Sequence, residues 1–452
     1  MSEESLPQRW TRSRAVCDDP PVSEQQQSTP EIISLSSVPG CIVFDLPGAA
    51  VSAGGTRLAP DVASAEVALL ARAMTYKFAA LGAQVGGAKA GVVGDPADRT
   101  ARAEQMARYC AEIRPLTDTG RFLTGPDMGT FEEDFAPLRA RRAAPAAIGA
   151  VVDGVPFEDV LTGYGVAVAA QTALGGDWPG RSVAIEGFGK VGGGVAAEVT
   201  RRGGRVVAVS TVHGCLADPA GLDIGRLLAL RREHGDACVE HYGRPVTRPP
   251  ALFTIDADVL VPGTRPGAIS RAVAQALPAS VKVVAPAANV PYTRAGAEVL
   301  HERGIAALPD FVCNAGAVIG YRSAPDDTPD QVLASAGATI ADRIGEALSH
   351  PGGPLAGACE RAAEFLRGWW GPRPTLRSRA KRSAGSPAPT ASGDRSSSGP
   401  AAWCRSPWWT MRLAVRAGCG PPLPLGRPGR PVISPGADRE EHAPCLTSPC
   451  CW

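Results

Sequence analysis

The sequence predicts an α/β protein of two domains: an N-terminal α/β substrate domain, then a Rossmann-type, doubly wound parallel sheet, with a disordered C-terminal tail. Three observations predict it. Strand-like and helix-like runs alternate from about residue 160 to 320, which implies a parallel sheet covered by helices. A Gly187-Phe188-Gly189-Lys190-Val191-Gly192 stretch stands at the first strand-to-helix turn of that region. After about residue 368 the periodicity is lost, and Pro, Arg, Ser, Gly, Trp and Cys crowd together.

Taken in order, residues 1–38 are rich in Ser, Gln, Glu and Pro and read as a flexible leader. The first domain spans 39–150 and opens on a short β-type run, Gly40-Cys-Ile-Val-Phe-Asp45. Apolar side chains at helical spacing (Val67, Leu70, Ala71, Met74) predict a helix within 62–82. The second domain spans 151–330. Its buried strands are expected at 183–186, 205–210, 259–261 and 281–285, with a helix over 195–202. A segment 331–368 follows, then a low-complexity tail over 369–452 that is expected not to fold. A shifted reading frame in a GC-rich gene would also produce such text, and resequencing the 3′ end would test that.

At 452 residues the chain is long enough for two cores. A net charge of +1 gives no global field for nucleic acid or an acidic surface. Twelve cysteines without a CxxC pair, and six histidines without HxxxH spacing, predict no metal site and suit a reducing cytoplasm. The polar N-terminus lacks the apolar core of a signal peptide, and no apolar run reaches the length of a membrane span. A cytoplasmic protein that binds neither nucleic acid nor membrane is expected.

The nucleotide site is read from its context. Gly187 permits the tight turn, Gly189 lets the backbone approach a pyrophosphate, and Gly192 lets the helix close on the sheet. The helix start, from Lys190 through Gly193, offers N–H groups and a positive dipole end to phosphates. Lys190 either flanks the pyrophosphate or points to solvent. An NAD site usually places an acid at the end of the second strand; here that position holds Thr211, which donates or accepts a hydrogen bond and repels no 2′-phosphate. NAD is the expected cofactor, and NADP stays open.

Only five lysines stand against 41 arginines, and Lys77 and Lys89 are twelve residues apart in one glycine-rich stretch. Lysine, unlike arginine, loses its proton readily when desolvated or beside another cation. These two are therefore candidates for chemistry, against the bland alternatives of a surface helix position and a solvated loop. Asp127 is a third candidate, against its reading as an N-cap for a helix opening at Thr130.

The motifs run in order as Gly54-Gly-Thr-Arg57, Met74-Thr-Tyr-Lys77, Gly86-Gly-Ala-Lys89, Pro126-Asp127-Met-Gly-Thr130 and Thr162-Gly-Tyr-Gly165. The dinucleotide loop follows, then Ala288-Asn289-Val-Pro291 and Asn314-Ala-Gly-Ala-Val-Ile319. Over roughly residues 40–365 this order resembles the glutamate/leucine/phenylalanine/valine dehydrogenase family, most like its branched-chain and aromatic members. The resemblance implies NAD(P)-dependent reversible oxidative deamination of an L-amino acid to a 2-oxo acid and ammonia. It implies Lys77 as the ammonium that holds the substrate carboxylate, helped by backbone N–H groups at Gly54 and Gly55. It implies Lys89, its pKa lowered, as the residue acting on water, and Asp127 as general acid–base. Thr162, Asn289 and Asn314 would line the nicotinamide and ribose. A homo-oligomer built through the first domain, and helices of 331–368 returning to that domain, are implied too.

Glutamate enzymes of this family carry a lysine just before Gly-Gly-x-Arg and a serine seven residues after the Asn of Asn-Ala-Gly. This chain has Ala53 and Tyr321 there. Neither offers a cation for a buried carboxylate, so an apolar substrate side chain (valine, leucine or phenylalanine type) is expected, with Tyr321 refilling the pocket that Ala53 enlarges. Gly-Gly-Ala-Lys89, by contrast, is nearer to glutamate enzymes, and glutamate dehydrogenase is the alternative. A non-catalytic nucleotide- or amino-acid-binding relative, and a hydroxy-acid dehydrogenase, are the rival classes.

Overall fold

The computed structural model describes residues 29–139, 145–152 and 155–370. Most of the leader and of the low-complexity tail lies outside the described residues.

The first domain is a six-stranded sheet between helices. Its elements are β1 (Glu31–Ser34), β2 (Gly40–Phe44), β3 (Ser52–Ala53), β4 (Thr56–Ala59), α1 (Ser64–Ala80), β5 (Gly86–Val93), α2 (Arg99–Asp118), β6 (Phe122–Leu123) and the short α3 (Ala136–Arg139). The strand order is β1-β2-β5-β3-β6, with β4 also pairing β5. Strand alternation explains the layering. Ala88, Ala90 and Val92 of β5 face Met106, Tyr109, Cys110 and Ile113 of α2 in one buried cluster. Gly87 and Gly91 face the opposite way, onto α1: a Cβ on Gly87 would lie 2.0 Å from the Ala71 carbonyl oxygen, and one on Gly91 would lie 2.6 Å from Val67. Lys89, between these glycines, therefore emerges on the α1 side of the sheet.

Strand β1 lies within the stretch expected to be leader. Ile32 and Ile33 pair with Val43 and Ile42 of β2, and Glu31 binds Arg121 at 2.5 Å, so four residues in a polar context gain a ladder and an ion pair.

The second domain begins with a small hairpin, β7 (Val151–Val152) and β8 (Val155–Pro156), leading into α4 (Phe157–Leu174). Then come β9 (Ser182–Glu186), α5 (Lys190–Arg201), β10 (Arg205–Thr211), β11 (Gly214–Ala217), α6 (Ile224–His234), β12 (Val246–Thr247) and β13 (Val259–Pro262). The domain's sheet is completed by α7 (Arg271–Ala276), β14 (Val283–Val284), α8 (Arg294–Glu302) and β15 (Ala306–Ala307). The seven strands run in the order β12-β11-β10-β9-β13-β14-β15. Five are mutually parallel and doubly wound, with β9 at the centre; β11 and β12 add an antiparallel edge, so the sheet is mixed. Helix α5 starts at Lys190, five residues before the expected start, because Gly189 caps it directly after the turn.

The chain closes with α9 (Asp310–Cys313), α10 (Gly316–Gly320), α11 (Pro329–Leu348) and α12 (Pro354–Trp369). Helix α11 opens on a capping box, Thr328 with Gln331, with Pro329 in its first turn. Helix α12 packs on α1 and α11. Ala73, Tyr76, Ala79 and Ala80 of α1 share one buried cluster with Leu355, Ala358, Cys359 and Ala362 of α12 and with the second domain's strands.

Candidate active site

Four elements of the first domain bring the charged groups together. Lys89 stands on β5, Lys77 in the last turn of α1, Arg57 on β4, and Asp127 on the loop after β6. That loop lies along β4: the Thr56 N–H donates to the Gly125 carbonyl and the Leu58 N–H to the Met128 carbonyl. Gly129 takes φ 80°, and a Cβ there would meet the Leu58 carbonyl oxygen at 1.9 Å, so the close approach requires glycine.

Lys89 Nζ lies 3.1 Å from Asp127 Oδ2, and Arg57 Nε lies 3.2 Å from the same oxygen. The other end of the guanidinium binds Glu66 in the first turn of α1. Asp127 makes no N-cap; its backbone N–H instead bonds to the Thr130 hydroxyl. Burial pushes the Asp127 carboxyl up, but the Lys89 and Arg57 cations outweigh it and hold the group below the usual carboxylate range. Arg57 was not among the residues singled out from sequence.

Lys77 is buried and reaches across to the second domain, donating to the Asn314 carbonyl at 3.3 Å. Burial pulls its ammonium down to about 8; the Asp310 carboxylate opposes this, while Lys89 adds to it. Lys77 was expected as the ammonium that holds the substrate carboxylate; the depression arises because burial removes water from it. Asp310, fully buried, has its own carboxyl pushed up to about 6 by burial, opposed by the Val290 N–H, which it accepts at 2.8 Å, and by Lys77. It too was not anticipated.

The glycines beside these lysines divide. The Gly54 N–H already donates to the Leu123 carbonyl at 3.0 Å, because Gly54 continues the β3–β6 pairing, so it does not serve a substrate carboxylate as expected. Gly55 lies against the cations: a Cβ there would stand 3.3 Å from Lys89 Nζ and 3.0 Å from Asp127 Cβ. Ala53 packs with Met74, Phe78, Ala83, Val85 and Val318 in a small apolar cluster. Tyr321 is elsewhere. It packs against the cluster of Ala147, Ile148, Phe157 and Val332, and its hydroxyl donates to Glu158 at 2.7 Å. Val318 within α10 packs in the Ala53 cluster, whereas Tyr321, just past the end of that helix, packs in the other.

The dinucleotide loop carries its geometry in three glycines. Gly187 has φ 85°; Gly189 caps α5 with open space over its α-carbon; and a Cβ on Gly192 would lie 2.0 Å from the Gly187 carbonyl oxygen. Phe188 is buried and Gly193 packs beside Leu228, so both hold the loop from behind, with Val191 half-buried. Lys190 is exposed and lies over the Phe131 ring of the first domain, 4.6 Å from its centroid. The Thr211 side chain is buried, and its hydroxyl accepts the His213 N–H at 3.1 Å. Asn314 Nδ2 donates to the Ala287 carbonyl at 3.1 Å and to Asn289 Oδ1 at 3.0 Å. Asn314 Oδ1 is buried without a hydrogen-bond partner. The Thr162 hydroxyl donates to the Glu158 carbonyl, and Gly316 lies tight against Leu161 and Thr162. An unpartnered buried acceptor on Asn314, in a chain with a Rossmann glycine turn, fits a nicotinamide dinucleotide, whose carboxamide N–H2 would supply the missing donor. Among the described residues no group of three or more His, Cys, Asp or Glu could hold a metal ion, and no helix is long and apolar enough to cross a membrane.

Known proteins resemble this chain over both domains. A family model described as Glutamate/Leucine/Phenylalanine/Valine dehydrogenase matches residues 154–321, and the Glu/Leu/Phe/Val dehydrogenase dimerisation domain matches 49–141. Glutamate dehydrogenase A2 of Halobacterium salinarum is 35% identical over 280 residues, 59% of this chain and 67% of that protein. Glutamate dehydrogenase of Thermotoga maritima is 34% identical over 281 residues, with the same coverage. Among solved structures, the Leu-bound hetero-hexameric glutamate dehydrogenase of Thermus thermophilus superposes with a TM-score of 0.65 at 25% identity, covering 78% of this chain and 90% of that one. L-tryptophan dehydrogenase of Nostoc punctiforme shares the fold, with a TM-score of 0.51 at 19% identity over 75% of this chain and 97% of that one. These curated relatives are glutamate enzymes, which corrects the expected leaning towards the branched-chain and aromatic members. This chain thus belongs to the glutamate/leucine/phenylalanine/valine dehydrogenase family, NAD(P)-dependent oxidoreductases acting on the CH–NH2 group of amino acids.

Proposed function

We propose that this enzyme converts an apolar L-amino acid, water and NAD(P)+ reversibly to the 2-oxo acid, ammonium, NAD(P)H and a proton. The observation that carries the apolar reading is the cluster around Ala53, in which Met74, Phe78, Ala83, Val85 and Val318 are all apolar. A distal carboxylate placed there would lose its hydration without gaining a cation. Lys77 and the Gly55 backbone hold the α-carboxylate. Asp127 takes the proton from the amino nitrogen, and a nicotinamide held at the glycine turn would supply the acceptor for the Cα hydride. Lys89, within reach of Asp127, takes the proton of the water that adds to the resulting iminium carbon. Asn314 and Thr162 orient the carboxamide.

Glutamate is the second reading, favoured by the names of the relatives. For the cofactor, the buried Thr211 offers no carboxylate to select the ribose 2′-hydroxyl or to repel a 2′-phosphate, which leaves both NAD and NADP admitted. The dimerisation-domain match supports assembly into a homo-oligomer.

Reduced-nicotinamide absorbance, followed for each L-amino acid with NAD+ and with NADP+, tests all of this. Turnover with leucine, valine or phenylalanine and none with glutamate is expected. Glutamate as the best substrate would replace the apolar reading. No turnover with any amino acid, and no loss on Lys89→Ala, would mark a binding protein instead.

A further inference from the structure

We propose that Arg57 is a positioning residue for Asp127: it fixes which carboxylate oxygen meets the substrate nitrogen and keeps that carboxylate ionised until the nitrogen delivers its proton. The inference rests on the acid–base role proposed for Asp127.

Three observations carry it. Arg57 is buried, yet its guanidinium spans two acids from different elements, Asp127 through Nε and Glu66 through Nη1. Burying a cation that only tethers a loop would be a costly use of it. Next, Arg57 and Lys89 both address Oδ2 of Asp127, at 3.2 and 3.1 Å. Two donors on one oxygen hold the carboxylate's orientation and turn Oδ1 to the substrate. Last, the scaffold is stiff: the Thr130 hydroxyl donates to the Thr56 carbonyl at 2.8 Å, next to Arg57, and the 125–128 backbone runs along β4. Arg57 and Asp127 therefore move as one piece.

The charged groups facing Asp127 are Arg57 from β4, Lys89 from β5 and Lys77 from the end of α1, while Glu66 faces Arg57 from the start of α1. A lysine side chain can trade its proton, whereas an arginine keeps its charge. When Lys89 trades its proton during turnover, Arg57 alone supplies a constant field. In the oxidative direction the substrate N–H bond breaks, its proton joins Asp127 Oδ1, and the electron pair stays with nitrogen to form the iminium as Cα gives up its hydride. Arg57 neither gains nor loses anything in that step.

The test compares Arg57→Gln and Arg57→Lys with the parent enzyme over the pH profile of kcat for amino-acid oxidation. Removing the cation raises the Asp127 pKa, so the acid limb moves up by about one pH unit in R57Q. Activity then falls several-fold more near about pH 4 than at pH 9, and R57K recovers part of the shift. A loss of the same factor at every pH in both variants would mean Arg57 is only structural. The same comparison is read without turnover by 13C-carboxyl NMR of aspartate-labelled enzyme, the Asp127 signal being assigned from its absence in Asp127→Asn. A midpoint that rises in R57Q or R57K supports the proposal even if no amino acid is turned over, in which case only the substrate reading fails. An unmoved midpoint overturns it.

Discussion

Lys77 and Lys89 share one face of the first domain, yet the structure gives them different surroundings. Lys89 has a carboxylate within reach, whereas Lys77 lies buried at the domain boundary with its ammonium pulled down to about 8. The protonated form is the one that binds a carboxylate. As pH rises through 8 the free enzyme loses that form, so kcat/KM for the amino acid is expected to fall above about pH 8. The substrate carboxylate raises the Lys77 pKa once bound, so kcat alone holds to higher pH. Steady-state kinetics from pH 6 to 10 checks this; parallel loss of kcat and kcat/KM would place the limb on another group. In an arginine-rich chain the scarcity of lysine made both residues stand out in the sequence. Arg57 stood in the sequence only as the end of the Gly54-Gly-Thr-Arg57 motif, one arginine among 41 and given no role. Its role appears only when β4 and the Asp127 loop, 70 residues apart, are laid side by side.

At the scale of elements, legibility followed locality. The turn from β9 into α5 is written in six consecutive residues, and each glycine there meets a constraint those same residues create. Gly192→Ala would drive a Cβ to 2.0 Å from the Gly187 carbonyl oxygen. Both atoms are backbone, so the turn itself must open. Overpacking of this kind costs about 1–3 kcal/mol, and NAD(P)H binding followed by fluorescence is expected to be lost before the fold is. Retention of nucleotide affinity in the variant would show the turn to be more pliable than this packing implies. Elements that depend on distant partners were harder to read. Four residues at β1 carry no strong strand signal until β2 offers them a ladder. Which cluster Val318 and Tyr321 each join depends on α10, a five-residue helix whose start no local signal marks, since its N-cap makes no side-chain bond.

Across the whole molecule, the two domains meet through buried polar and aromatic contacts at the site itself. Lys77 donates to Asn314, Tyr76 packs edge-on against Phe311 at 5.8 Å, and Phe131 lies between Arg102 and Lys190. Asp310 stands behind this junction and holds Val290, the non-glycine residue with φ 52°, through its N–H. Asp310→Ala leaves that buried N–H without its acceptor, a cost of about 1–3 kcal/mol. It also strips Lys77 of an opposing charge, so its ammonium is lost at lower pH. Denaturant unfolding should show the stability loss, and KM for the amino acid should rise several-fold at pH 8 while the NAD(P)H dissociation constant stays put. Unchanged KM at that pH would separate Asp310 from the carboxylate site. None of this was legible beforehand, because Asp310 and Lys77 are far apart in sequence and meet only after both domains have formed.

The packing of α12 on α1 has a consequence for how the protein is made. The flank of α1 that carries Ala73, Tyr76 and Ala80 is among the earliest structure to leave the ribosome, and its cover, Leu355 to Ala362, is among the last of the described chain. Nearly 300 residues must be synthesised while that apolar flank waits. Loop closure over such a span is slow and leaves a sticky surface exposed meanwhile. A nascent chain halted after β15 would hold every charged group from Arg57 to Asp127 and a complete nucleotide sheet, yet offer an open flank to chaperones and proteases. Helix α12, the last among the described residues, is therefore what closes that flank.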